Sequence, residues 1–143
     1  MREILTEVAI AAPPQRVWAI LLDFAAYGEW NPFVTTISGP AEIGEQLEVS
    51  LTLPGGKTMG FTPTVTACEE ERFFQWLGKV GVKGVFDGRH SFRLTPTERG
   101  TRFVQSEQFS GIFGWMMSGK TRRRTETGFR AMNDALKNRA ETR

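Results

Sequence analysis

The chain has 143 residues, a net charge of +2, and 40% hydrophobic and 24% charged residues, the balance of an ordinary globular domain built on one hydrophobic core. No apolar run reaches membrane-spanning length and no basic-then-apolar leader with a small-residue cleavage site opens the sequence, so neither a transmembrane helix nor a signal peptide is expected, and the expected location is cytoplasmic. One cysteine, Cys68, permits no internal disulfide, and one histidine, His90, leaves too few donors for a histidine- or thiolate-based metal site, so no metal and no cofactor is expected.

Residues 2–11 alternate, with Ile4, Thr6, Val8 and Ile10 on one side, which is the period of a strand. Pro14 suits the first position of a helix whose stripe is Val17, Ile20 and Leu21, extended by Trp18 and Leu22. Asp23 reads as the cap of a second, shorter helix from Phe24 to Trp30, stopped at Asn31-Pro32 because a residue before proline is pushed out of helical conformation.

From Phe33 to Gly111 the texture is strand after strand. Residues 33–38 make one, and Leu47, Val49, Leu51 and Leu53 alternate with polar neighbours in the next, which ends at the turn Pro54-Gly55-Gly56. Met59, Phe61, Val65 and Ala67 share a face, with Pro63 inside the run marking an edge or a bulge. Phe74 and Trp76 head a further strand, and Gly78 to Gly84 reads as a turn or loop. Phe86, Gly88, His90, Phe92 and Leu94 then lie on one face of a long strand. After a turn at residues 96–100, Phe103, Gln105, Glu107 and Phe109 line one side of the last strand.

Gly114 to Ala140 reads as one long amphipathic helix. Gly114, Met117, Ser118, Thr121, Thr125, Gly128, Phe129, Met132, Ala135 and Leu136 fall on one face, and Arg123, Glu126, Arg130, Asp134 and Lys137 on the other. The apolar face is bulky toward Leu136 and small or hydroxylic toward Ser118. Such a stripe fills a core at one end and leaves a hollow at the other. Short turns between strands demand an antiparallel sheet, so the expected fold is α+β: six to seven curved strands wrapped around the C-terminal helix, with two short helices after the first strand, in a single domain over residues 1–143.

The β-α-α-β-α order resembles that of the START-like (SRPBCC) superfamily of polyketide cyclase/dehydrase and lipid-transport proteins. Asp23 through Tyr27 to Trp30-Asn31-Pro32-Phe33, Phe86-Asp87-Gly88 with His90, Gly100-Thr101-Arg102-Phe103, Glu107-x-Phe109-Ser110-Gly111 and Gly128-Phe129-x-x-Met132-Asn133 carry the resemblance across essentially the whole chain. It implies a helix-grip fold enclosing a cavity for a small hydrophobic or amphipathic ligand, lipid- or polyketide-like. Members are carriers or sensors, aromatase/cyclase-type enzymes, or chaperone-activator-like interaction modules, and fold does not select among these.

The alternation that turns Phe92 and Leu94 inward does the same for His90, which is then a structural residue, a ligand contact or an acid/base group. Glu107 shares the inward face with Phe103 and Phe109; a buried acid must pair, protonate or meet water, so it reads as a partnered structural residue, a polar anchor or an acid/base candidate. Trp30, Phe74, Trp76, Phe92 and Phe109 are the aromatics expected around a pocket, if they are not plain core, and Thr125 lies on the small-residue stripe facing it. The expected partner is a small hydrophobic ligand, with no nucleic acid and no stable membrane insertion. An edge strand or the outer helix face leaves a homodimer open.

Two local patterns invite a different reading. Gly114 through Gly119-Lys120-Thr121 matches the phosphate-loop pattern G-x-x-x-x-G-K-[ST], but Trp115, Met116 and Met117 are bulky where backbone must curl round phosphates, and no later strand follows to supply a magnesium-binding aspartate. The Arg122-Arg123-Arg124 run lacks the interleaved aromatics of a nucleic-acid platform and reads as solvated helix surface.

Overall fold

The computed structural model describes residues 2–79, 87–110 and 119–142. Eight strands and two α-helices are present among them: β1 (Arg2–Ile10), α1 (Pro14–Leu22), β2 (Val34–Ser38), β3 (Glu48–Thr52), β4 (Thr58–Phe61), β5 (Thr64–Glu69), β6 (Phe73–Lys79), β7 (Asp87–Thr97), β8 (Gly100–Ser110) and α2 (Gly119–Glu141). The strands form an antiparallel five-stranded sheet in the order β1-β8-β7-β6-β5 and a three-stranded sheet in the order β2-β3-β4.

The single sheet expected from the strand run is thus divided in two, and Pro63 marks the division. Proline has no N–H to donate, so the ladder cannot run through it. The residues 59–67 read as one strand are β4, paired with β3, and β5, paired with β6. The sheets are stitched at this corner: Leu47 N–H donates to the Pro63 carbonyl at 2.9 Å, Val65 N–H donates to that of Glu45 at 2.9 Å, and Gln46 bridges Thr64.

Pro14 opens α1, as its fixed φ suggests, and Val17, Trp18 and Leu21 are the buried stripe. The segment after it is a 3₁₀ helix over Phe24–Glu29, not a second α-helix, and the Asp23 side chain makes no capping bond. Tyr27 is held there by its hydroxyl, which donates to the Leu21 carbonyl; burial, and after it the charge of Asp23, pushes the phenol well above its usual range.

The face of α2 that meets the sheet is Gly128, Phe129, Met132, Asn133, Leu136 and Ala140. Its C-terminal end is pinned. Arg16 of α1 donates to the carbonyls of Ala140 at 2.6 Å and Thr142 at 2.6 Å, satisfying groups a helix end leaves open, while Lys137 donates to the Ala9 carbonyl at 2.9 Å. Residues 119–124 at the other end are exposed. The core therefore fills toward the C-terminus of α2, where Phe129, Met132 and Leu136 are wholly buried with Phe33, Val17 and Leu21.

Candidate functional site

Across the middle of the large sheet one row of side chains runs Val65, Trp76, His90, Glu107, Ile4, each the registered partner of the next. Trp76, His90 and Ile4 are buried, which places the row on the face toward α2. His90 and Glu107 stand directly opposite on β7 and β8, with Nδ1 3.1 Å from Oε1. The imidazole is 3% exposed and the carboxylate side chain 19%. Ring centroids of Trp76 at 4.9 Å, Phe92 at 4.8 Å and Phe129 at 4.9 Å enclose the imidazole.

Behind the pair lies a chain of buried hydrogen bonds. His90 Nε2 is 2.8 Å from Gln105 Oε1. The Gln105 amide nitrogen donates to Asn133 Oδ1 at 2.7 Å and to the Phe129 carbonyl at 3.3 Å. The Asn133 nitrogen donates to the Thr6 hydroxyl at 2.8 Å, and that hydroxyl donates to the Gln105 carbonyl at 3.1 Å. Four elements, β1, β7, β8 and α2, are tied by groups that would each cost about 1–3 kcal/mol if buried unpaired.

Beside His90 and Glu107 is a cavity of about 240 Å³. Trp76, Gly78, Gly88 and Phe109 of the large sheet form its floor with the polar pair, Leu51, Leu53, Met59 and Phe61 come from the small sheet's side, and Phe33, Thr121 and Thr125 close it near α2. Lys79 and Met59 are exposed at its rim. Gly78 and Gly88 are partners across β6 and β7, and a Cβ on Gly88 would overlap Glu107 Oε2, so the carboxylate rests on bare backbone. A depression of about 320 Å³ along residues 36–38, 48–50 and 60–62 is larger but more open, and the polar pair takes no part in it.

Of the eight residues expected at a pocket, five line this cavity: Trp76, His90, Glu107, Phe109 and Thr125. The other three do not. Phe74 packs among Trp18, Phe24, Trp76 and Phe92, and Phe92 lies between Phe74 and Phe103 behind the imidazole, so both are core. Trp30 meets Tyr27 edge to face at 5.1 Å, with its indole nitrogen buried and unpaired among the described residues. Asn31 accepts from the N–H groups of Phe33 and Val34 and so shapes the turn into β2.

Sequence reasoning missed the small sheet's contribution, Leu51, Leu53, Met59 and Phe61, and the rim residue Lys79. It also missed the supporting partners Gln105, Asn133 and Thr6, although strand period puts Gln105 on the face of Glu107. Phe86 and residues 114–118 of the phosphate-loop match lie outside the described residues; Gly119, Lys120 and Thr121 open α2, and the described strands are antiparallel, not the parallel sheet such loops belong to. Burial, then the charges of Glu42 and Glu70, pushes the Cys68 thiol up, away from reactivity. No group of three metal-ligating side chains occurs among the described residues, and no described helix is long and apolar enough to cross a membrane.

A curved antiparallel sheet gripping a C-terminal helix, with an apolar cavity between them, is the helix-grip class. The profile of the family described as polyketide cyclase / dehydrase and lipid transport matches residues 1–141, and the chain belongs to that family. Among solved structures, TTHA0849 from Thermus thermophilus is similar with a TM-score of 0.76 at 18% identity over 97% of each chain. The di-domain ARO/CYC BexL from the BE-7585A biosynthetic pathway gives 0.76 at 16% identity, over 99% of this chain and 50% of its own. Ara h 8.0201 gives 0.73 at 13% identity over 97% of each chain. At these identities the likeness is one of fold. No curated protein matches the chain.

Proposed function

We propose that the protein binds one small hydrophobic or amphipathic molecule in the cavity between the sheets and α2, as a carrier or sensor. The observation that carries this reading is the cavity itself: aromatic and aliphatic walls, and a hydrogen-bonded polar pair, His90 and Glu107, at one place in them. Small-molecule sites are built in this way, with apolar burial supplying affinity at roughly 25 cal/mol per Å² and a few polar groups supplying orientation. The volume of about 240 Å³ lies above the void of about 150 Å³ that takes a benzene ring. It lies below the pockets of about 300–1,000 Å³ that take drug-sized molecules. A ligand of one or two rings, or a short branched chain, fits without rearrangement.

Isothermal titration with naphthalene tests the reading, with a Thr125→Trp variant that fills the cavity from α2. Saturable one-to-one binding that the variant abolishes is the expected outcome; binding unchanged by the variant contradicts it.

The histidine–carboxylate contact in the cavity wall favours a second reading, an aromatase/cyclase-type enzyme using the same cavity with the pair as acid and base. Under it, Glu107→Gln and His90→Ala retain ligand affinity and abolish turnover of a polyketide-like substrate; under the carrier reading they alter binding alone. An interaction module expects an exposed apolar patch in place of such a cavity.

A further inference from the structure

The buried hydrogen bonds behind His90 settle which atoms of the site carry hydrogen. The Phe129 carbonyl can only accept, so it is the Gln105 amide nitrogen that faces it, and the Gln105 oxygen faces His90 Nε2. Asn133 agrees: its oxygen accepts from Gln105, and its nitrogen donates to Thr6, whose own hydrogen goes to the Gln105 carbonyl. Nε2 of His90 therefore bears a hydrogen. The remaining contact, Nδ1 to Glu107 Oε1, closes only with one hydrogen between the two atoms, held by the imidazole or by the carboxyl. In both arrangements Glu107 Oε2 has none.

Oε2 lies above Gly88, a residue of the cavity floor, and takes no partner among the described residues. The site thus offers its ligand an acceptor. Thr125 adds to this polarity, because its hydroxyl hydrogen is donated to the Thr121 carbonyl at 2.9 Å and only lone pairs remain for the cavity. With its shared hydrogen the Glu107–His90 pair is neutral overall, so a cationic ligand would bring an uncompensated charge into the cavity, at high desolvation cost. At Oε2 a carboxylate ligand would set acceptor against acceptor. It could meet the rim cation Lys79 only with its apolar body turned inward, which leaves Oε2 desolvated and unpaired.

Resting on the cavity-binding reading above, we infer that the ligand is a neutral, hydroxyl-bearing molecule of about two rings whose hydroxyl donates to Glu107 Oε2, and that the site selects against acids and against ethers of the same shape. Glu107 is the specificity-determining residue. His90, held by Gln105 and Asn133, is the positioning residue that keeps Oε2 an acceptor.

The test is calorimetric titration of the full chain with naphthalene, 2-naphthol, 2-methoxynaphthalene and 2-naphthoate. Removing one hydrogen bond to a charged or partly charged group should cost the ether about 10- to 100-fold relative to the naphthol, and the naphthoate at least as much. Glu107→Leu should equalise naphthol and ether. Glu107→Gln should keep the preference within about threefold, because its amide nitrogen donates to His90 Nδ1 and its oxygen takes the place of Oε2. If Glu107→Leu does not fold, the wild-type series and Glu107→Gln carry the test by themselves. Equal affinities for naphthol and ether in the wild type, tighter binding of the naphthoate, or loss of preference in Glu107→Gln overturns the inference while cavity binding stands. Failure of all four probes, naphthalene included, overturns both.

Discussion

Gly128 of α2 packs its bare Cα against the ring of Phe33, and a Cβ at that position would overlap the ring's near edge. Phe33 is wholly buried, 5.4 Å from the Phe129 ring on one side and lining the cavity on the other. The missing side chain lets α2 approach Phe33, a wall of the cavity.

Gly128→Ala should destabilise the protein by about 1–3 kcal/mol through overpacking. That outweighs the gain of about 1 kcal/mol that alanine brings to a helix interior. Thermal denaturation checks the sign. A rise in Tm would mean that Phe33 gives way freely.

Gly88→Ala should act differently, since what its Cβ meets is the far end of the Glu107 side chain, with cavity space beside it. The carboxylate moves and the fold holds. We expect a stability change below about 1 kcal/mol, within the range of mild substitutions, together with loss of the preference for naphthol over its methyl ether. Denaturation and titration on the same variant check the two halves.

Asn133→Leu removes one of the two acceptors of the Gln105 amide nitrogen and the donor to the Thr6 hydroxyl, leaving the bonds to the Phe129 and Gln105 carbonyls in place. Leaving one buried amide hydrogen unpaired should cost about 1–3 kcal/mol. Denaturant titration measures it. A neutral result would show that these groups find other partners.

Glu141 accepts from the Ala11 N–H at 2.7 Å and from Lys137 at 2.6 Å, and these two contacts, in that order, hold its carboxyl below the usual range. A lowered native value means that this stabilisation is fully present above the unfolded-state value of about 4.3 and is lost as pH falls through the native one. Glu141→Gln should therefore lower Tm at pH 7, and the difference should shrink as the pH falls through the native value, where the carboxyl takes up its proton. A loss that does not shrink as the pH falls would assign the effect to packing.

Much of the fold was legible because its signals are local. Pro14, the alternation of Ile4 through Ile10 and the periodic stripe through Phe129, Met132 and Leu136 each need only a short window of sequence. The division into two sheets was less so: Pro63 announced an edge or a bulge, but that β4 joins β3 while β5 joins β6 depends on where the chain turns in space.

The site shows the same boundary. Inward-facing His90 and Glu107 follow from strand period, but their pairing needs the hairpin register, set by the two-residue turn at Glu98 and Arg99 between the partners Thr97 and Gly100. A turn read loosely over residues 96–100 leaves the register open by one, and a slip of one residue would turn Glu107 to the other face. Asn133 was unreadable because a polar residue on a helix flank reads as solvated unless its partners Gln105 and Thr6 are known. Leu51, Leu53 and Phe61 reach the cavity from a second sheet, across a distance no periodicity encodes. Trp30, Phe74 and Phe92 point to a pocket on aromatic character alone, which core and cavity wall share.

The most direct measurement is an intermolecular NOE experiment on methyl-labelled protein with 2-naphthol bound. Binding in the cavity predicts contacts from the ligand's ring protons to the methyl groups of Leu51, Leu53, Met59 and Thr125, and none to Leu21 or Leu136 in the filled core. Ligand contacts confined to the exposed methyls of Leu5 or Ile43, or a complex with no contact to the four cavity methyls, would contradict the account.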